Sequence, residues 1–501
     1  MRKQRFFMCF LLYFTHLFVP LTSLKVLSLG NKRKSTFSLY FSRLFVPLTS
    51  SKVLSFENEK KKMFSFCILL TYSYLCTTMR ILIVNTSEQA GGAAVAANRL
   101  MHALNNYGVK AKMLVREKSS TDISVVGLQG LRQRWHFLWE RFVVFLHLHG
   151  NRQRLFELDI ANAGTDITST QEFKEADVIH LHWINQGMLS LGDIKKILKS
   201  GKAVVWTMHD IWPATAICHL TLGCSNFRTA CKNCKYLPGG GGSHDLAARV
   251  WKRKQAMLSC GNITFVACSK WLEQEARSSA LLKGQTVTSI PNPIDVNVFC
   301  PGSREDACQA EGLPTDKRLI LFVCQRVTNP NKGMQYLIDA CKKLAEEKPE
   351  MKKNTGVVIL GGHADEVADQ LPFATYPLGY VSDRQRIVNI YRAASMFVLP
   401  SLSENLPNTI MEAMACGVPC LGFRVGGIPE EIDHLKNGYV ADYRSVDDLA
   451  HGIDWILNEA DGKALGAEAV KKVRHNYATQ QVMVRYIEVY QQVLAQTHLK
   501  L

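Results

Sequence analysis

The segment "MRILIVNTSEQAGGAAVAANRLMHALNNYGVKAKMLV" (79–115) constrains the fold more than any other. A short β-rich apolar run (79–85) reads as a parallel strand buried on both faces. A glycine-containing turn follows, then a helix that stops at Gly108, then a second apolar run. Strand, glycine loop, helix, strand is the opening of a doubly wound α/β domain, where ligands bind beyond the carboxyl ends of the strands. The pattern continues through "ADVIHLHW" (176–183), "AVVWTMHD" (203–210), "ITFVACS" (263–269) and "TVTSIPNPID" (286–295). A second series starts near Lys317, with "RLILFVC" (318–324), "GVVILGG" (356–362), "MFVLPS" (396–401) and "VPCLGF" (418–423). The chain ends in an amphipathic helix over 480–496. Two Rossmann-like α/β domains therefore face an interdomain cleft, the usual place for a ligand. The expected boundaries are 79–297 and 298–479, with 480–501 packing back on the first domain.

At 501 residues the chain suits two large domains. Its net charge of +17 suggests anionic partners, but residues 1–78 hold 12 Lys/Arg against 2 Asp/Glu. The modest surplus left to 79–501 fits phosphate-bearing substrates or an anionic membrane surface and does not demand nucleic acid. Within 1–78, "LFVPLTSLKVLSLGN" (17–31) recurs as "LFVPLTSSKVLSFEN" (44–58), with neither helix nor strand periodicity. That segment reads as a translated upstream extension before a true start at Met79, or as a membrane anchor. Residues 128–160 alternate basic and aromatic groups on a helix. This helix either lies on a membrane surface or packs on its own domain with snorkelling arginines.

The stretch "PSLSENLPNTIMEAMACGVPC" (400–420) carries Glu404 and Glu412. On one continuous helix they would stand about 12 Å apart, too far to share a small ligand. Pro407 changes this, because proline opens helices and disfavours their interiors. Glu404 is then placed in a loop and Glu412 inside a helix over about 407–415. The backbone N–H groups of Asn405, Leu406 and the first turn are free for a phosphate. One carboxylate on each side of a diphosphate could grip hydroxyls of two sugars. Taken alone, the two could also be a solvated loop residue and a surface helix residue.

With that context the chain resembles the retaining glycosyltransferases of family 4, with a GT-B fold, over roughly 79–496. The resemblance implies that Glu412 holds the ribose of a nucleotide diphosphate sugar and that Glu404 reaches the transferred sugar. Many members carry glycine after the first glutamate, where this chain has Asn405. The pattern "VCQRVTNPNKG" matches the family with Arg326 and Lys332, two cations able to neutralise a diphosphate. Gly426 and Gly427 allow close backbone approach to a ligand. Val381 lies where members contact the base, and Gly91 and Gly92 suit acceptor and phosphate contact. His209 is implied to touch the donor sugar near the reacting carbon; a core histidine bonded to Asp210 is the alternative. His180 and His182 read as structural. No covalent nucleophile is evident, so a front-face route with retention is implied, with no cofactor required for catalysis.

Cys218, Cys224, Cys231 and Cys234 fall within 17 residues, spaced C-x5-C-x6-C-x2-C. Four thiolates at that spacing fit a structural zinc; a disulfide pair or four buried free thiols are the alternatives. The other cysteines, such as Cys268, Cys324, Cys341 and Cys416, sit in apolar runs as small hydrophobes, which suits the reducing cytoplasm. The implied partners are a nucleotide diphosphate sugar and a saccharide or lipid-linked acceptor in surface-polysaccharide synthesis, with peripheral contact at the inner membrane face. A non-catalytic sugar-nucleotide-binding scaffold with a structural zinc, or another GT-B enzyme such as an epimerase, are the competing readings.

Overall fold

The computed structural model describes residues 79–128 and 130–498. The two readings of 1–78 lie outside the described residues. In the first domain, β1 (Arg80–Ser87), β2 (Lys110–Glu117), β3 (Val125–Gly127), β4 (Val178–Leu181), β5 (Ala203–Met208), β6 (Thr264–Ala267) and β7 (Thr286–Ser289) form one sheet. Its order is β3-β2-β1-β4-β5-β6-β7, and every neighbouring pair is parallel. In the second domain, β8 (Arg318–Arg326), β9 (Thr355–Gly362), β10 (Ala374–Gly379), β11 (Met396–Leu399), β12 (Cys420–Phe423) and β13 (Gly438–Ala441) form another. Its order is β10-β9-β8-β11-β12-β13, again parallel throughout.

Helices cover both faces of each sheet, so strand residues are apolar in continuous runs rather than alternating. Ile81, Leu82, Ile83 and Val84 are all buried, as are Ile320, Leu321 and Phe322. Edge strand β10 was not expected: Pro377 and its weak patterning hide it, and an edge is where a proline is tolerated in a sheet. The chain does not stop in the second domain. The helix Thr479–His498 returns to the first, where Val482, Tyr486 and Tyr490 join Ile83, Leu100 and Val205 in one core. Tyr486 and Tyr490 also donate or share hydrogen bonds with Thr207 at 2.9 Å and His180 at 2.8 Å. That closes His180 and settles it as a core histidine.

In each sheet the strand order reverses once, between β1 and β4 and between β8 and β11. A reversal leaves a crevice at the carboxyl ends of the two strands, because their outgoing loops diverge to opposite faces. The loops leaving β8 and β11 carry Lys332 and Glu404.

Candidate active site

The loop after β11 is shaped by close backbone packing. Gly426 has φ 58° and a Cβ there would stand 1.7 Å from the Glu404 carbonyl oxygen. A Cβ on Gly427 would stand 2.1 Å from the Asn405 carbonyl oxygen, which accepts the Gly427 N–H at 2.7 Å. These glycines admit a close approach of the Glu404–Asn405 backbone. Leu406 anchors the same loop with a buried side chain. The helix then runs Asn408–Ala415, with Pro407 immediately ahead of its first turn.

So held, Glu404 points at Lys332, whose ammonium donates to it at 2.5 Å. Burial alone would lower the Lys332 pKa; the Glu404 charge and hydrogen bond outweigh it and raise the pKa above the ordinary lysine value. The pair lines a cavity of about 460 Å³ that is walled by both domains. From the first domain come His209, Asp210, His219 and Trp271; from the second, Lys332, Glu404, Asn405, Tyr443 and Arg444.

His209 leaves the end of β5 and stacks on His182, with its Nε2 2.9 Å from His182 Nδ1. Its Nδ1 lies 3.6 Å from Cys268 Sγ. Burial pushes the His209 pKa down to about 4, against the opposing pull of Asp210. His209 is therefore neutral at pH 7 and can serve as a hydrogen-bonding wall but not as a cation. Asp210 does not bond it. Asp210 instead accepts from Trp183 Nε1 at 3.0 Å and from the Trp212 N–H at 2.8 Å, and pairs with His219 at 2.7 Å. The other nitrogen of His219 meets Asp159 at 2.6 Å. Burial works against the charge on His219, but Asp210 and Asp159 raise its pKa to about 10. A fixed imidazolium thus lines the first-domain side of the cavity.

Not every residue picked from the sequence reaches this cavity. Glu412 lies on the same interdomain seam but is engaged by Arg99 at 2.6 Å and by the Tyr391 hydroxyl at 3.0 Å. Arg326 is exposed and donates to Thr328 at 3.0 Å, outside the cavity lining. The β8–β9 register shifts between Val323 and Arg326. Gly91 and Gly92 open the helix Gly92–Asn106 against the start of the second-domain helix, where Asn408 donates to the Gly92 carbonyl at 3.1 Å. Val381 packs against the second-domain core. Asn405 joins the domains: it accepts from Ser269 Oγ at 2.6 Å and donates to the His209 carbonyl at 3.2 Å. Asp210, His219, Tyr443 and Arg444 were missed. Only Arg444 leaves a local mark, a non-glycine residue with φ 64°, and that is invisible in a sequence.

The four clustered cysteines do not fit a tetrahedral metal site. All are free thiols, and among the described residues no group of three or more His, Cys, Asp or Glu side chains could hold a metal ion. Burial, with neighbouring thiols adding to it, pushes Cys218 and Cys231 up to about 12. Cys218 is tied into a bridge with Leu158, and the Cys234 N–H is held by Asp245 at 2.8 Å.

Residues 303–475 match the family model described as "Glycosyl transferases group 1". The second domain belongs to the group 1 glycosyltransferases. The group 1 domain carries the Lys332–Glu404 pair. The chain is 30% identical over 217 residues to a D-inositol 3-phosphate glycosyltransferase of Nocardiopsis dassonvillei, covering 41% of this chain and 50% of the relative. It is 31% identical over 186 residues to the same-named protein of Thermobifida fusca, covering 34% and 42%. The chain thus spans about half the length of the curated relatives it matches. Sucrose-phosphate synthase of Thermosynechococcus elongatus superposes with a TM-score of 0.59 at 18% identity, over 83% of this chain and 100% of that one. Anabaena HepE in complex with UDP-glucose gives 0.53 at 16% identity, over 84% and 100%. These likenesses establish the two-domain GT-B fold.

Proposed function

We propose that the chain transfers a sugar from a nucleotide diphosphate sugar to a saccharide or lipid-linked saccharide, with retention at the anomeric carbon. One observation carries the reading: the cavity between the domains is lined by His209, Lys332, Glu404 and Asn405 together. The Lys332 ammonium supplies positive charge where a departing diphosphate develops negative charge. Arg444 and the imidazolium of His219 add to it. Glu404 accepts hydrogen bonds from the transferred sugar, and neutral His209 presents its ring beside the reacting carbon. Glu412 holds the ribose once Arg99 releases it, and the exposed Arg326 swings in as the donor enters. Retention proceeds at one face of the sugar, with the leaving phosphate taking the acceptor proton; a trapped glycosyl–enzyme adduct in mass spectrometry would sink this route. On this proposal the activity belongs to surface-polysaccharide synthesis at the cytoplasmic membrane face.

The test is a thermal-shift screen of nucleotide sugars on the full chain, starting from UDP-glucose, followed by slow hydrolysis of the hit. Stabilisation lost in Glu412→Ala, and hydrolysis lost in Lys332→Ala, support the reading. Stabilisation with no turnover on any acceptor favours a binding scaffold, and no stabilisation by any nucleotide sugar overturns both.

A further inference from the structure

The helix Leu131–His147 turns two unlike faces to its surroundings. Its inner face is fixed at several points. Buried Glu140 accepts the N–H groups of Ile160 at 2.9 Å, Ala161 at 2.6 Å and Gly187 at 2.8 Å. Arg141, also buried, donates to the carbonyls of Leu155 at 2.6 Å and Leu158 at 3.0 Å and pairs with Asp159. Gly187 lets the loop after β4 press on the helix, since a Cβ there would stand 2.6 Å from the Phe137 nitrogen. The helix is a seated platform and Arg141 points inward, so it does not snorkel.

The outer face carries Leu131, Trp135, Leu138, Trp139, Phe142 and Leu146, which are 72, 68, 53, 54, 50 and 54% exposed. At 3.6 residues per turn, these six fall within an arc of roughly 100°. Arg132 and Arg134, both exposed, stand at the two margins of that arc, and Arg152 and Arg154 are exposed just beyond the helix. From 130 to 156 the sole acidic residue is Glu140, which is buried. A groove of about 660 Å³, lined in part by Arg116, Glu117, Arg134, Phe137 and Leu138, opens beside the stripe.

We propose that this face docks on a bilayer surface containing anionic phospholipid. Tryptophan and phenylalanine enter the headgroup–acyl boundary, where their amphipathic or apolar rings are best solvated, while flanking arginines meet lipid phosphates. Arginine on both margins matches a plane of negative headgroups, and on the helix itself no exposed acid opposes such a plane; the nearest exposed carboxylates are Glu117, paired with Arg116, and Glu157 beyond the helix. The loop seating the helix leaves the carboxyl end of β4, so docking brings the cleft end of the sheet to the lipid. Among the described residues no helix is long and apolar enough to cross a membrane. The proposal stands without the glycosyl-transfer reading, because binding is measured with neither donor nor acceptor.

The experiment is co-sedimentation of the full chain with vesicles of phosphatidylcholine alone, or of equal parts phosphatidylcholine and phosphatidylglycerol. Binding to the mixed vesicles is expected, weakening as salt rises. Trp135→Ser with Trp139→Ser lowers the partition coefficient at least about tenfold, with an unchanged circular dichroism spectrum because both sites are exposed. Arg132→Gln with Arg134→Gln costs about fivefold per arginine and removes the preference for phosphatidylglycerol. As a check on the unsubstituted chain, brominated phospholipid quenches its tryptophan emission. Equal binding by both variants and the unsubstituted chain would move the contact to another segment and overturn the proposal. So would no binding to either vesicle, or a dimer in light scattering that the tryptophan variant disperses, which would make the stripe a self-interface.

Discussion

Lys332 and Glu404 owe their positions to two different strands, and each neutralises the other across the crevice between β8 and β11. Removing the cation leaves a carboxylate facing the leaving phosphate. Lys332→Ala is expected to lower turnover about 10²- to 10³-fold while leaving the fold intact, as steady-state rates and circular dichroism would establish. His219 makes a separate prediction about pH. Its folded pKa, about 10, stands above the ordinary value of 6.5. Its contribution to stability is fully present below pH 6.5 and is lost as pH rises toward 10, since only the unfolded chain releases the proton in that window. His209, at about 4, and His180, at about 3, work in the opposite sense. Their contribution is present above pH 6.5 and is lost as pH falls through 4 and 3. Urea midpoints should therefore peak near neutrality and decline on both sides; a profile flat from pH 6 to 10 would contradict the His219 assignment.

At the scale of elements, the loop after β11 depends on the turn after β12. Gly426 combines a left-handed backbone with a contact that leaves no room for a methyl group. Gly426→Ala is expected to cost roughly 2–4 kcal/mol and to displace Glu404. A lower thermal midpoint together with a raised donor KM would register both effects. A drop in stability with donor KM unchanged would show that the turn supports the fold but does not aim Glu404.

On the scale of the whole molecule, the two domains are joined by a seam of polar contacts. Arg99 meets Glu412, Asn405 bonds Ser269 and the His209 carbonyl, and Asn292 donates to Asn408 at 3.0 Å. Glu430 accepts the N–H groups of Lys270 and Trp271 at 2.8 and 2.7 Å, capping a first-domain helix from the second domain. Asn405 stands where many members of the resembled family have glycine, and its side chain adds bonds that glycine cannot make. Arg99→Ala should destabilise the chain by about 1–3 kcal/mol, the scale of a hydrogen bond to a charged group. It should also enlarge the radius of gyration in X-ray scattering. An unchanged radius would mean that the remaining seam bonds suffice to hold the domains closed.

What the sequence determined by itself is the part written in local periodicity. Buried parallel strands are continuous apolar runs, so β1, β2, β5, β8, β9 and β11 could be placed within a few residues. Pro407 could be placed just ahead of its helix because proline acts through local sterics. Glu404, Lys332, His209 and Asn405 could be named because the resemblance to family 4 marks their motifs, and all four line the cavity. Tertiary structure decided which partners those residues take. Nothing local tells Glu412 that Arg99 is 2.6 Å away, 313 residues back along the chain, or that Arg326 lies exposed and outside the cavity. Nor does spacing reveal that four nearby cysteines lack the convergence a metal needs. The first outcome depends on which surfaces two folded domains bring together and the others on packing within one domain, and neither has a period along the chain.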